Sequence, residues 1–353
     1  MILRKLVLFE YRSYSKAEFL FSDRATVIIG PNSSGKSNLI EALYLLSNGK
    51  SFRTEKDYEL IMFSKNLTRV KGTFEESNSS LELELVIAKN GNKEGVLKKF
   101  LVNGVPKRRI DFSRHLNVVL FSPEDVDIVN GSPSKRRYFL DEVLSQVDIN
   151  YQAASLLYIK ALRQRNALLE NARHSSNLGK QFEYWDNLLI TNGNLITQKR
   201  EEFIQFLNTS RKNIFSFNAI YDKSIISKER LKEYEQAQIN SGVTLVGPHR
   251  DELIFEMFND QTQSIQNVRT YGSRGQERLL VLELKLLQLA YMQEILKTTP
   301  LLLLDDIFSE LDKRNIGKIL ELINIHQTVI TTTHKEFIPD NLAQNTIVIE
   351  LNK

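Results

Sequence analysis

Gly30-Pro31-Asn32-Ser33-Ser34-Gly35-Lys36-Ser37 is the stretch whose reading decides the fold. It follows the apolar run Ala25-Thr26-Val27-Ile28-Ile29 and precedes Asn38-Leu39-Ile40-Glu41-Ala42-Leu43-Tyr44-Leu45-Leu46, whose apolar residues recur at helical spacing. Strand, glycine-bounded loop and helix in that order are the context a phosphate-binding loop requires. The two glycines let the backbone curl so that successive N–H groups face a phosphate, and the helix N-terminus adds its partial positive charge. On this reading Gly30, Pro31, Asn32, Ser33, Ser34, Gly35 and Asn38 line a site for a nucleotide. Lys36 bridges the β- and γ-phosphates and Ser37 holds Mg²⁺.

Composition sets the class. The chain has 353 residues, 42% of them hydrophobic and 25% charged, which suits two or three globular domains and argues against disorder. No run approaches the ~20 apolar residues of a membrane helix. The start, Met1-Ile2-Leu3-Arg4-Lys5-Leu6-Val7-Leu8-Phe9, reads as a first strand and not as a signal. Without cysteine the chain forms neither disulfides nor thiolate metal sites, which fits a reducing compartment. A soluble, cytoplasmic protein without a membrane partner is expected. The net charge, 47 − 43 = +4, is small, so binding to nucleic acid has to come from local patches or from dimerisation.

From the N-terminus, Leu3 to Phe9 and Ala25 to Ile29 read as strands joined by the polar connection Glu10-Tyr11-Arg12-Ser13-Tyr14, in which Arg12 is a candidate phosphate ligand. Beyond the first helix, Arg69 to Phe74, Leu81 to Ala88 and Val96 to Val102 alternate, with turns at Lys89 to Asn92 and at Asn103-Gly104, so an antiparallel sheet decorates the phosphate-loop core. Asn117 to Phe121 is a buried strand that stops near Pro123. Ser132 then caps a helix opening on Pro133, with the basic triplet Lys135-Arg136-Arg137 in its first turn. Cations there oppose the helix dipole, so a phosphate, a nucleic-acid backbone or nearby carboxylates must favour them.

Apolar residues at spacings of three and four predict helices over Tyr151 to Glu170 and Lys180 to about Phe217, a helical arm with a polar break at Asn171 to Gly179. Lys160, Arg163, Arg165 and Arg173 make its first helix basic. A short helix over Leu231 to Ile239 precedes a strand at Gly242 to Val246, which ends in a turn carrying His249-Arg250-Asp251 beside the nucleotide. Leu253 to Phe258 is another strand. Ser273-Arg274-Gly275-Gln276 opens a helix reaching about Leu296, and Ser273 with Gln276 matches a capping box. A hydroxyl, a glycine backbone and a helix N-terminus make a second anion site, and one nucleotide does not need two such loops from one subunit. The economical solution is a homodimer in which each loop serves the opposite end of a nucleotide trapped between the two subunits.

Leu301-Leu302-Leu303-Leu304-Asp305-Asp306 reads as a buried parallel strand delivering carboxylates to the sheet edge where α/β folds place ligands. Asp305 is the candidate Mg²⁺ ligand and Asp306 the residue that orients and deprotonates the attacking water. His334, after the strand Thr328 to Thr333, is positioned to sense the γ-phosphate, and Ile347 to Leu351 closes the sheet.

These motifs resemble the ABC-type ATPases of the SMC group. Gly30 to Ser37 is similar to their Walker A loop, Ser273 to Gln276 to the signature motif, Leu301 to Asp306 to Walker B, Ser309-Glu310-Leu311-Asp312 to the D-loop, and His334 to the switch histidine. The interval from Asp141 to Ser273, ~130 residues, suits a compact helical arm and not a long coiled coil. Within the group the chain most resembles the RecF recombination-repair family, through Phe121 to Asp125, Gly131-Ser132-Pro133, Arg136 to Asp141 and Gly247-Pro248-His249-Arg250-Asp251. The resemblance implies an α/β ABC-type head with a mixed parallel sheet, an antiparallel sheet and an inserted, mainly helical arm. The head would comprise 1–122 and 299–353, and the arm 123–298. It implies slow, DNA-stimulated ATP hydrolysis, an ATP-dependent homodimer, binding to gapped or double-stranded DNA at junctions with single strands, and work with RecR and RecO to load RecA. Ser33 stands where the family's loop has glycine, and Pro123-Glu124 where transporter ATPases carry a glutamine. The Asn-Ser-Ser-Gly-Lys spelling is shared with OLD-type ATPases, so an ATP-switched protein-interaction module is the competing expectation.

Overall fold

The computed structural model describes residues 1–76, 79–91, 95–172, 179–309, 313–333, 336 and 346–351. Its strands are β1 (Ile2–Tyr11), β2 (Tyr14–Leu20), β3 (Ala25–Ile29), β4 (Leu67–Glu76), β5 (Ser79–Lys89), β6 (Val96–Val102), β7 (Val105–Lys107), β8 (Val118–Phe121), β9 (Asn218–Asp222), β10 (Glu252–Asn259), β11 (Ser264–Asn267), β12 (Leu301–Asp305), β13 (Thr328–Thr332) and β14 (Thr346–Glu350). The longer helices are α1 (Lys36–Asn48), α2 (Pro133–Val147), α3 (Ile149–Ala172), α4 (Gly179–Thr209), α5 (Arg274–Leu296) and α6 (Lys313–Ile323). The chain divides into two compact units, one of Met1–Glu124 with Lys297–Lys353 and one of Asp125–Leu296.

The first unit holds two sheets. One is antiparallel, in the order β2-β1-β4-β5-β6-β7; the other is parallel throughout, in the order β14-β3-β13-β12-β8. Helix α1 is buried on most of its circumference because it serves both. Leu39, Leu43 and Leu46 share one core with Leu6, Val70 and Leu85 of the antiparallel sheet and with Val118, Leu303 and Val329 of the parallel one. Strands β3, β12 and β13, built of aliphatic residues and threonine until Asp305 ends β12, are each buried at all five positions, as a sheet covered on both faces requires.

Strand β2 was not legible: only Phe19 of Tyr-Ser-Lys-Ala-Glu-Phe-Leu is buried, as befits a sheet edge, so no apolar alternation marks it. The expected connection shrinks to Arg12 and Ser13, between β1 and β2.

The second unit packs α2, α3, α4 and α5 with the small antiparallel sheet β11-β10-β9. Three expectations change here. The helix expected to reach Phe217 ends at Thr209, and the N–H groups of Asn213, Ile214 and Phe215 donate to the buried carboxylate of Glu283 on α5, which frees the chain to form β9. The helix over Leu231 to Ile239 is two short ones, Lys228–Glu233 and Glu235–Ser241. Gly242 to Val246 is not a strand. Its backbone is satisfied by side chains: Thr244 N–H donates to Asn166, Leu245 N–H to Gln238, and Thr244 C=O accepts from Arg250.

Candidate nucleotide-binding site

The loop after β3 has the form its sequence predicted. Gly35, at φ 101°, turns the chain into α1, and a Cβ there would sit 2.7 Å from the Tyr14 hydroxyl, which donates to Gly35 C=O at 3.1 Å. At Gly30 a Cβ would collide with Ser34 Oγ at 2.6 Å and with Leu351 O at 2.9 Å. Ser33 lies at φ 67°, the left-handed region in which glycine is at ease and serine is strained. Lys36 Nζ donates to Gly30 O at 2.7 Å and Pro31 O at 3.0 Å, so the ammonium is folded back over its own loop. Burial lowers its pKa, and the carboxylates of Asp306 and Asp305 partly offset that. The first-turn N–H groups of α1 have no acceptor within the helix, which leaves them available to an anion.

The parallel sheet brings the acidic pair to this loop. Asp305, the buried last residue of β12, accepts on Oδ1 from Thr331 Oγ1 at 2.6 Å and from Ser37 Oγ at 3.2 Å. Thr331 stands on β13, the strand between β3 and β12, and sequence reasoning passed over it. Burial raises the pKa of Asp305; the hydrogen bonds from Thr331 and Ser37 act against this, and Glu124 adds to it. A buried carboxylate raised in this way and a hydroxyl 3.2 Å away form an all-oxygen pair suited to a hard divalent cation such as Mg²⁺. Asp306 sits at φ 51°, its N–H held by Thr331 O and Oγ1, and lies close enough to Lys36 to favour the ammonium. His334 and Glu310-Leu311-Asp312 lie outside the described residues, as do 173–178 of the polar break.

Arg12 is engaged with its own unit. Its Nε and Nη2 grip Glu41 at 2.9 and 2.7 Å, and Nη1 donates to Glu59 O at 3.0 Å. Glu41, on α1 and wholly buried, also accepts from the hydroxyls of Tyr11 and Ser51, while Arg53 stands 3.9 Å away. Arg53 in turn donates to Asn38 Oδ1, and Asn38 to Ser13 Oγ. The first two turns of α1 are thus tied to both flanking segments through one carboxylate that the motif reading did not single out. A lone acid inside the apolar run Leu39 to Leu46 was the available signal.

At the start of α5 the capping box is complete: Gln276 N–H donates to Ser273 Oγ at 3.3 Å, and Ser273 N–H to Gln276 Oε1 at 2.9 Å. Ser273, Arg274 and Gly275 are exposed. A Cβ on Gly275 would meet only Ser273 Oγ, at 3.9 Å, so packing within the chain places no demand for glycine there.

The other motifs of the second unit converge on one another. Arg200, buried on α4, donates to Asp141, to Asp251 and to Pro248 O, each at 2.8 Å. Asp251 also accepts from the Tyr221 hydroxyl and from Ser224 N–H. His249 bonds the Tyr158 hydroxyl at 2.7 Å and Thr244 O at 3.0 Å, and burial pushes its pKa down to about 4. His249-Arg250-Asp251 therefore belongs to an internal framework of this unit. The basic triplet is answered by the same framework, with Arg136 on Glu252 at 2.6 and 3.0 Å, Arg137 on Asp251 O at 2.8 Å and Lys135 on Asp127 at 3.2 Å. Nearby carboxylates and carbonyls are what favours these cations. The Ser132 hydroxyl pairs with that of Ser134, not with a backbone N–H. Arg165, expected on a basic face, is buried and bonded to Asp186, Gln238 and Thr244.

Residues 2–352 match the model of the RecF/RecN/SMC N terminal domain family. The DNA replication and repair protein RecF of Halalkalibacterium halodurans is 36% identical over 376 residues, covering 100% of this chain and 98% of that protein. RecF of Bacillus thuringiensis is 36% identical over 357 residues, covering 94% and 92%. Among solved structures, the recombination mediator protein RecF with ATP, of the RecFOR pathway, superposes with a TM-score of 0.86 at 31% identity, covering 96% of this chain and 93% of that one. An SMC head bound to the C-terminal winged-helix domain of ScpA, at 18% identity and a TM-score of 0.50, shares the fold. With an ABC-type ATPase head of one antiparallel and one parallel sheet and an inserted, mainly helical unit, the chain thus belongs to the RecF family of DNA replication and repair proteins.

Proposed function

We propose that this chain is an ATP-switched DNA-repair ATPase whose homodimer forms on ATP and reopens on hydrolysis. The observation that carries the reading is the exposed N-terminus of α5, where Gly275 presents a bare backbone that packing within the chain does not require and the Ser273 hydroxyl, which accepts from Gln276 N–H, keeps its own proton to donate. Lys36, Ser37 and the turn at Gly35 hold the triphosphate in one subunit, and the Ser273-Arg274-Gly275-Gln276 turn of the other caps its γ-phosphate. Lys36 exchanges the carbonyls of Gly30 and Pro31 for phosphate oxygens, so its charge moves from loop to ligand without leaving the site. Ser37 and Asp305 would hold Mg²⁺, which would supply charge neutralisation for the triphosphate. Asp306, fixed by Thr331, orients the attacking water and takes its proton. Arg12, through Glu41, and Asn38, through Arg53 and Ser13, hold the start of α1 in place, and His334 is assigned to the γ-phosphate.

The dimer would bind gapped or double-stranded DNA at single-strand junctions and act with RecR and RecO in loading RecA. Similarity to RecF structures bound to ATP and named for the RecFOR pathway supports this. The experiment is sedimentation of Asp306→Asn with saturating ATP, with and without gapped duplex. A stable dimer that DNA stabilises further is expected, and Ser273→Arg should bind ATP yet stay monomeric. A monomeric Asp306→Asn protein would sink the scheme.

A further inference from the structure

The small sheet of the second unit has an outward face that, beyond Glu252 at one end, paired to Arg136, neither the nucleotide site nor the internal framework uses. Alternation along β10 sends Leu253, Phe255 and Met257 inward and turns Ile254, Glu256 and Phe258 outward. The register stacks matched rungs across the sheet: Ile254 opposite Ile220, Glu256 between Asn218 and Asn267, and Phe258 opposite Ile265. Phe258 is 57% exposed, Ile265 68% and Ile220 37%. Single exposed apolar residues need no explanation, but Phe258 and Ile265 form an exposed apolar pair on the edge strand β11 and its neighbour, and the polar rung of Glu256 separates that pair from a second apolar rung on the same face.

Charge says what covers it. The three strands and the turn joining β10 to β11 contain Asp222, Glu252, Glu256 and Asp260 and no lysine or arginine, in a chain that carries 47 of them. Glu252 is taken by Arg136, so Asp222, Glu256 and Asp260 frame the patch with negative charge. Such a frame repels a phosphate backbone and attracts cations.

We propose that the outward face of β9-β10-β11 docks a protein partner presenting apolar side chains within a frame of lysine and arginine, with Phe258 as the anchor. The proposal rests on the pathway reading above, which makes purified RecR and RecO from the same organism the probes. Titration of each against the full chain should show that one binds the unaltered protein. Phe258→Ser/Ile265→Ser should weaken that binding about tenfold or more, as loss of an aromatic anchor does. Glu256→Lys should weaken it as well and reduce its salt dependence. ATP-dependent anisotropy of gapped duplex should be unchanged in all three proteins. Should the double variant melt early, Glu256→Lys, at a polar position, still decides the matter. Undiminished partner binding in Glu256→Lys, or loss of DNA binding with partner binding intact, overturns the proposal alone. Loss of the ATP-dependent dimer in the variants would hand the face to a second copy and overturn it too. If neither RecR nor RecO binds the unaltered chain, the pathway reading falls together with it.

Discussion

Ser33 shows how a single residue sets the condition of a whole loop. Its φ of 67° costs a residue with a Cβ about 1 kcal/mol, and the fold absorbs that cost where glycine would not incur it. Ser33→Gly should therefore raise stability by about 0.5 kcal/mol, once the extra freedom of glycine in the unfolded chain is subtracted. A thermal melt without nucleotide checks the sign; a lower midpoint would show that the serine side chain contributes something the backbone angle hides. At this scale Lys36, Ser37 and Asp305 were legible because their spacing is dictated by phosphate and cation geometry, which leaves few alternatives. Glu41 and Thr331 were not, because a helical glutamate and a strand threonine are ordinary by type. Only burial and convergence show that they hold α1 and Asp305 in place.

Among the elements, α2 corrects the most tempting sequence inference. Three consecutive cations in a first turn suggest a nucleic-acid patch, yet Arg136 is buried and paired to Glu252, and Arg137 reaches the backbone of Asp251. Arg136→Ala should then cost about 3 kcal/mol in urea unfolding, since it leaves a half-buried carboxylate without its partner. It should leave the salt slope of DNA binding alone. Lys99 and Lys107, exposed on β6 and β7, are the contrasting case. Their alanine variants should stay within about 0.5 kcal/mol of the parent in stability and each lower the salt slope by about one. Periodicity located the long helices of this unit well. It failed at Gly242 to Val246, where an apolar run is satisfied by side chains of other helices, and at β9, a strand of five with one buried residue. Local pattern carries no record of which distant group fulfils a backbone's hydrogen bonds.

For the molecule as a whole, His249 links stability to pH. Its folded pKa, about 4, lies below the ordinary 6.5, so in acid the unfolded chain takes up a proton that the native chain refuses. Its contribution is therefore complete above about pH 7.5 and is lost as pH falls from 6.5 towards 4, by up to about 3 kcal/mol. Urea midpoints at pH 7.5 and 5 should diverge in the native protein and draw closer in His249→Gln; an unchanged gap would exclude the histidine as the source. The ATPase head with an insertion was readable because its motifs occur in a fixed order along the chain. The parallel sheet has a further consequence for how the chain comes to be folded. Strand β3, which ends in the phosphate loop, pairs with β13 and β14, about three hundred residues later, a separation that makes closure slow. During synthesis the loop emerges early and waits for both neighbours while the entire second unit is made. That unit has its own core and can fold meanwhile, whereas the nucleotide site has to be among the last features to appear, and a ribosome stalled before β13 would release a chain unable to hold ATP.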